Sequence, residues 1–158
     1  MAPPQKPGKS KQDYGTPREF IQAIERQFHV DMWQRDLAAH QGNAICERWY
    51  GPGGLTEDSF KADWTIQGDL WLNSPFSNIE PWAFRCRDAV PRRQGRIFQL
   101  TPASIGTDWY RETVHGKGHI IGLSPRITFV GETTPYPKDL MLIVWSAIKG
   151  GFSTWRWK

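Results

Sequence analysis

The chain has 158 residues, of which 39% are hydrophobic and 13% aromatic, and its formal net charge is +4. This length suits one domain around a single core, and no run of residues approaches the ~18 apolar positions of a membrane-spanning helix. Two cysteines and the lack of a secretory leader exclude a disulfide-rich secreted protein, so we expect a protein of the reducing cytoplasm that does not contact membranes.

The positive charge is concentrated in two places. Residues 1–12 contain three lysines, three prolines and no acid, and we expect them to form a disordered basic tail. Residues 85–96 contain five arginines and one aspartate, and the rest of the chain is net acidic. Such clustering is typical of a polyanion-binding protein, although an ordinary solvated surface can also carry it. The candidate DNA-binding residues are Arg85, Arg92, Arg93 and Arg96.

No group of residues has the spacing of a metal site. His115 and His119 are four positions apart, but two of the three residues between them are glycines, which disfavour a shared helical face. The two cysteines are too far apart in sequence to form a zinc-ligand pair. We therefore expect no bound metal.

The first predicted helix follows Thr16-Pro17. Thr16 suits the N-cap position, Pro17 the first helical position, and Glu19 completes a capping box. The apolar face of this helix comprises Phe20, Ile21, Ile24 and Phe28.

A short strand is predicted from Val30 to about Trp33. The segment Asp36–Ala39 follows, and an acid with small residues just past a strand end lets a ligand approach the backbone; a helix-capping aspartate is the simpler interpretation. Residues 43–50 are interpreted as a short helix, and the glycines and proline of residues 51–54 end it.

The stretch Asp69–Ser77 carries the main functional signal. Leu70, Trp71 and Leu72 form an apolar run typical of a buried parallel strand, and Pro75 forces a turn where that strand ends. In open α/β sheets, ligands bind at the carboxyl ends of the strands. The turn combines an asparagine oxygen, a backbone carbonyl and an aromatic face, which suits a flat, amino-bearing ring; an ordinary turn is the alternative.

The remaining elements alternate between helix and strand. They are a helix capped by Ser77 and Glu80 and ending near Ala89, a strand Ile97–Leu100 closed by Thr101-Pro102, a helix from about Thr107 to His115, a hairpin of His119–Leu123 and Arg126–Val130, and a central last strand Leu140–Trp145. This order predicts a single α/β domain over residues 13–150, with a mostly parallel sheet, a C-terminal antiparallel hairpin and a C-terminal extension over residues 151–158. The chain has neither a GxGxxG after a strand nor a GxxxxGK loop.

Seven short motifs occur in a fixed order. They are Thr16-Pro17, Asp36-Leu37-Ala38-Ala39, Asn43-Ala44-Ile45-Cys46 with Trp49-Tyr50, Asp63-Trp64, Asn73-Ser74-Pro75-Phe76, Thr101-Pro102-Ala103 and Trp109. No single motif is specific, but the ordered series, in a chain of this size, resembles the phage DNA N-6-adenine methyltransferase family, a compact relative of the Dam methyltransferases. The likeness extends from about Tyr14 to about Ser146.

The resemblance implies a compact Rossmann-like methyltransferase fold, S-adenosylmethionine as methyl donor and double-stranded DNA as substrate. The residues that it implies around the donor are Tyr14, Thr16, Pro17, Asp36, Ala38 and Asp63. The catalytic residues that it implies are Asn73, Ser74, Pro75 and Phe76, which would hold an adenine flipped out of the duplex. The likeness also suggests a phage gene whose product protects DNA from restriction.

The proposed chemistry fits these residue types. Adenine N6 is a poor nucleophile because its lone pair is delocalised into the ring. Two acceptors on its hydrogens, the Asn73 side-chain oxygen and the backbone carbonyl of Ser74, would localise that lone pair toward the methyl group. Phe76 can stack on the ring and Pro75 stiffens the turn, so no general base with a shifted pKa is required.

Ser74 departs from the family pattern, which has proline at this position. Loss of the proline ring costs roughly 0.4–1 kcal/mol of backbone constraint, which we interpret as tuning of the activity. The alternatives are a weak or inactive Dam-like DNA-binding protein, or a methyltransferase acting on cytosine N4 or on RNA. No separate target-recognition domain fits in 158 residues, so a short or relaxed recognition sequence is expected, and the oligomeric state is not predicted.

Overall fold

A computed structural model describes residues 14–158, and the basic tail predicted for residues 1–12 lies outside the described residues. The helices are α1 (Arg18–Phe28) and α2 (Glu80–Ala89), with 3₁₀ turns at Ser59–Lys61 and Val90–Arg92 and a π-helical turn at Tyr110–Val114. The strands are β1 (Trp33–Asp36), β2 (Asp69–Leu72), β3 (Ile97–Pro102), β4 (His119–Ser124), β5 (Leu140–Trp145) and β6 (Phe152–Arg156).

The strands of the described chain form one six-stranded mixed sheet in the order β1-β2-β3-β5-β4-β6. β1, β2 and β3 run parallel to each other, β5 is antiparallel to both β3 and β4, and β6 is parallel to β4. The carboxyl ends of β1, β2 and β3 therefore meet at one edge, called the carboxyl edge here; their starts form the amino edge. The molecule is an α/β domain whose architecture is consistent with a methyltransferase.

The core has two layers because side chains alternate between the faces of each strand. Leu70 and Leu72 pack on the α2 side, whereas Trp71 packs on the α1 side with Phe98. All six residues of β5 are buried, which confirms that this apolar strand is central. Each such fully buried side chain contributes about 1.5–3 kcal/mol relative to an exposed one.

The predicted apolar face of α1 is confirmed, but the predicted cap is wrong. Phe20 and Ile24 are fully buried on this face. The N-cap position is Pro17, no side chain caps the helix, and the first bonds run from the Phe20 and Ile21 amides to the Pro17 carbonyl. The Thr16 hydroxyl is instead bonded to Asn73.

The region between β1 and β2 also differs from the prediction. β1 begins at Trp33, three residues later than expected, and ends at Asp36. Residues 43–50 form turns and no helix. The Asp36 backbone bonds to the Arg48 carbonyl and the Tyr50 amide, so the chain returns beside β1 instead of coiling.

The predicted hairpin is wrong, since residues 126–130 form no strand in the described structure. Ile127 and Phe129 are buried and alternate with exposed residues, which produces a strand-like pattern in an irregular segment. The Val130 amide donates a hydrogen bond to the Gly15 carbonyl at 2.9 Å. This segment therefore packs on the start of the described chain, and β4 pairs with β6 at its outer side.

Helix α2 lies where it was predicted, and its N-cap position is occupied by Ile79. The predicted helix near Thr107 is present as a short helical segment that includes the π-helical turn.

Candidate functional site

Asn73 lies directly after β2, at the carboxyl edge, and is half-buried. Its Nδ2 donates to the Tyr14 carbonyl at 2.9 Å and to the Thr16 hydroxyl oxygen at 3.0 Å. A backbone carbonyl can only accept a hydrogen bond, so the amide nitrogen must face it. The Asn73 Oδ1 is therefore turned away from Tyr14 and available as an acceptor.

The other residues of the turn point in different directions. Ser74 is 2% exposed, and its hydroxyl is buried without a hydrogen-bond partner in the described structure. The Ser74 side chain is therefore enclosed, and its backbone has almost no exposed surface either. The Phe76 ring packs against Tyr14, Phe129 and Tyr136, with ring centroids 5.7, 6.1 and 5.4 Å away. This aromatic cluster anchors the turn on the α1 side of the sheet.

A cavity of about 340 Å³ opens beside the same turn. It is lined by segments that follow β1 and β2 and by the first turn of α2. The lining residues are Ala38, Ala39, His40, Asn43, Tyr50, Gly51, Pro52, Glu57, Asp58, Ser59, Phe60, Asn73, Pro75 and Trp82. The structure thus brings Asn73, Pro75 and Ala38 together at one cavity, as expected for parallel strands that end at a common edge.

Asp36 does not line this cavity, but it holds the loop that does. Its carboxylate is 2% exposed and accepts hydrogen bonds from the amides of Ala38, at 3.2 Å, and Ile45, at 3.1 Å. Burial raises its pKa from 3.8 to about 7, although the two amides act in the opposite direction. Asp36 therefore holds the loop after β1, and Ala38 on that loop reaches the cavity.

The Asp63 side chain does not line the cavity either. Its carboxylate is exposed and accepts bonds from the hydroxyl and amide of Thr65, at 2.6 and 2.8 Å, which lowers its pKa. Its backbone carbonyl accepts the Tyr50 hydroxyl at 2.6 Å, and Arg35 donates to that hydroxyl at 2.7 Å. Asp63 therefore supports the cavity through Tyr50.

The acids that do line the cavity, Glu57 and Asp58, were missed by the sequence reasoning. Asp58 caps the 3₁₀ turn by accepting from the Phe60 amide at 2.9 Å, and the Phe60 ring lies 4.4 Å from the Trp82 ring. An acid two residues before an aromatic in a polar loop is a weak signal. The position became recognisable only after folding placed that loop beside Asn73.

A smaller cavity of about 180 Å³ adjoins the start of α1. Gly15, Thr16 and Arg18 line it together with Asn43, and Asn43 also lines the larger cavity. Two of the predicted cofactor residues, Tyr14 and Thr16, thus lie at Asn73, and Thr16 borders this second space. Pro17 lies outside both linings and occupies the N-cap position of α1.

The predicted DNA-binding arginines are mostly engaged within the protein. Arg85 donates to the carbonyls of residues 60 and 62, and Arg93 donates to those of residues 66 and 68. Arg96 forms a bidentate pair with Asp69, at 3.0 and 2.7 Å. Arg92 is exposed and paired with Asp88 at 2.6 Å. Arg93 and Arg96 lie at the amino edge, opposite the cavity, because they precede β3.

None of the helices within residues 14–158 is long and apolar enough to cross a membrane. The same residues contain no cluster of three or more His, Cys, Asp or Glu side chains that could hold a metal ion.

Comparison with known proteins gave one family. A family model described as DNA N-6-adenine-methyltransferase (Dam) matches residues 5–149, which is most of the chain. No match was found among curated proteins or among solved structures.

Proposed function

The chain belongs to the DNA N-6-adenine-methyltransferase (Dam) family, and on that basis we propose that it transfers a methyl group from S-adenosylmethionine to N6 of adenine in double-stranded DNA. The observation that carries the proposal is the orientation of the Asn73 amide. Because the Tyr14 carbonyl and the Thr16 hydroxyl hold Nδ2, the side-chain oxygen is presented as an acceptor at the carboxyl edge.

The cavity beside Asn73 fits the methyl donor in size and chemistry. Its volume of about 340 Å³ is within the range of small-molecule sites. Phe60 and Trp82 offer aromatic faces for the adenine of the donor, and Glu57 and Asp58 offer acceptors for its ribose hydroxyls. The small side chain of Ala38 leaves the backbone after β1 accessible. When bound, the donor supplies a methyl group on a positively charged sulfur.

The catalytic contribution of the chain is orientation. The Asn73 Oδ1 and the Ser74 carbonyl accept the two N6 hydrogens of the target base and so direct its lone pair away from the ring. Asn73 loses little rotational freedom in doing so because its nitrogen is already held. The amine becomes strongly acidic when methylated and can release its proton to water, so a buried base is unnecessary.

The aromatic cluster would complete the base site. Phe76 is half-buried, and its contacts with Tyr14, Phe129 and Tyr136 leave part of the ring exposed. We propose that the exposed part stacks on the target adenine while Pro75 holds the turn. Stacking on one aromatic side chain contributes about 1–3 kcal/mol per base.

The proposal is tested by transfer of tritiated methyl groups to unmethylated DNA. Asn73→Ala should abolish incorporation, and Asn78→Ala, which changes the same residue type at an exposed position of the same loop, should leave it unchanged. Equal incorporation by wild type and Asn73→Ala would exclude the assigned role of Asn73. Mass analysis of the product nucleosides should show N6-methyladenine; N4-methylcytosine instead would assign the chain to the other exocyclic amine.

A further inference from the structure

A base that is flipped out of the duplex leaves a gap between its neighbours. Unless another group fills this gap, the duplex loses the stacking energy of that base. Proteins that distort DNA commonly insert an apolar wedge such as Phe, Leu, Ile, Met or Pro between base steps. We propose that Ile105 is such a wedge, a DNA-contacting residue that enters the duplex where the target adenine has been flipped out. The inference rests on the proposed function, which requires base flipping.

The position of Ile105 follows from the register of the sheet. β3 lies beside β2, with Gln99 opposite Leu72. β2 ends at Leu72, whereas β3 continues three residues further, to Pro102. At a rise of ~3.3 Å per residue, β3 extends about 10 Å beyond the end of β2. The loop of residues 103–107 therefore projects from the carboxyl edge next to the turn that begins with Asn73.

The loop is held firmly in place. The Ser104 amide donates to the Pro102 carbonyl at 2.8 Å, and the Ile105 amide donates to the Ala103 carbonyl at 3.0 Å. The Thr107 hydroxyl donates to the Ser104 carbonyl at 2.7 Å, and the Ala103 amide is tied to the Asp139 carbonyl before β5. A wedge on such a loop loses little conformational entropy when it binds.

The Ile105 side chain has the properties of a wedge. It is 53% exposed, lies outside both hydrophobic clusters, and is β-branched and so restricted in rotation. Apart from its two chain neighbours, no atom lies within 4 Å of where a Cβ on Gly106 would be, so the chain next to Ile105 faces open space on that side. On the other side, Ile105 borders a cavity that Tyr110 and His115 also line.

Four other exposed apolar residues fit this role less well. Ile148 and Phe152 follow β5 and begin β6, which places them at the amino edge. Val130 lies at the carboxyl edge but its side chain packs against Gly15. The Phe60 ring packs on Trp82 in the wall of the cavity.

The test compares Ile105→Ala with Ile105→Leu, which keeps the apolar bulk. The target sequence is first read from DNA methylated in cells that express the protein. Methyl transfer in a single turnover is then measured on two duplexes, one with a normal target pair and one with an abasic site opposite the target adenine. An adenine without a partner is easier to extrude, so it depends less on a wedge.

We expect Ile105→Ala to be roughly tenfold slower than wild type on the paired duplex, since unstacking one base step costs a few kcal/mol, and nearly unchanged on the duplex with the abasic site. Ile105→Leu should stay close to wild type on both. Equal rates of Ile105→Ala and wild type on the paired duplex, or an equal loss on both duplexes, would overturn the wedge. An inactive wild-type protein would overturn the proposed function itself, so the two failures are distinguishable.

Discussion

At the scale of single residues, the donors and acceptors around Asn73 and Asp36 decide which side chains can reach a ligand. Asn73 gives its nitrogen to the protein and keeps its oxygen for a ligand. Asp36 gives both oxygens to the loop after β1 and keeps none. The sequence resemblance implied a ligand contact for both residues. Only their hydrogen-bond partners, which depend on the fold, distinguish a ligand-facing side chain from one that supports the loop.

The burial of Asp36 predicts a particular dependence of stability on pH. Its pKa is about 7 in the folded chain against an ordinary value of 3.8. Between these values the folded state holds a proton that the unfolded state has released, so the free energy of unfolding should fall as the pH rises from about 4 to about 7. Chemical denaturation over this range should show the slope in wild type and lose it in Asp36→Asn. A slope that persists unchanged in Asp36→Asn would contradict the assignment.

At the scale of elements, the sequence predicted the helices, strands and turns that are determined by hydrophobic periodicity or by a proline. The apolar face of α1, the buried strand β5 and the turn at Pro75 belong to this group. The prediction failed where tertiary contacts override a local pattern. Residues 126–130 alternate in burial because they pack on the aromatic cluster and on Gly15, not because they pair in the sheet. Strand β6 was missed because its exposed residues show no alternation.

The start of α1 illustrates the same competition and yields a prediction. Thr16 has the sequence features of a helix cap, but its hydroxyl is bonded to Asn73 and links α1 to the end of β2. Thr16→Ala should therefore slow methyl transfer about three- to tenfold, the value of one hydrogen bond, with little change in thermal stability. Thr16→Ser, which keeps the hydroxyl, should retain activity. A large loss of stability without loss of activity would restore the cap as the role of Thr16.

At the scale of the whole molecule, the turn that begins with Asn73 and the basic turn of residues 91–96 lie at opposite edges of the sheet. Arg93 and Arg96 are bonded to carbonyls and to Asp69 at the amino edge, whereas the cavity opens at the carboxyl edge. The clustering of positive charge in the sequence indicated a polyanionic ligand, but it could not show at which edge of the sheet that ligand would bind. The lysines of residues 1–12 lie a few positions before Tyr14 in the sequence, and the Tyr14 carbonyl contacts Asn73 at the carboxyl edge.

This arrangement predicts which charges control DNA affinity. Replacing Lys6, Lys9 and Lys11 by alanine should weaken DNA binding and reduce the slope of log K against log salt by about 3, because each phosphate contact contributes about 0.9. Arg92→Ala, at the exposed position of the basic turn, should leave the slope unchanged. Binding measured from low to moderate salt decides between them. The opposite pattern would support the contact between DNA and the basic turn that the sequence predicted.

The bond between Asn73 and the Tyr14 carbonyl spans 59 positions of the chain and uses a main-chain acceptor. A substitution at position 14 can replace the aromatic ring but cannot remove the main-chain oxygen, so the acceptor of this hydrogen bond is insensitive to point mutation. Proteolysis is different, because a cut between Tyr14 and α1 would detach the acceptor and leave the sheet intact. If the cut falls at Gly15, the Asn73 nitrogen keeps only the Thr16 hydroxyl as a partner, and because a hydroxyl can donate as well as accept, it no longer fixes which end of the amide faces the protein.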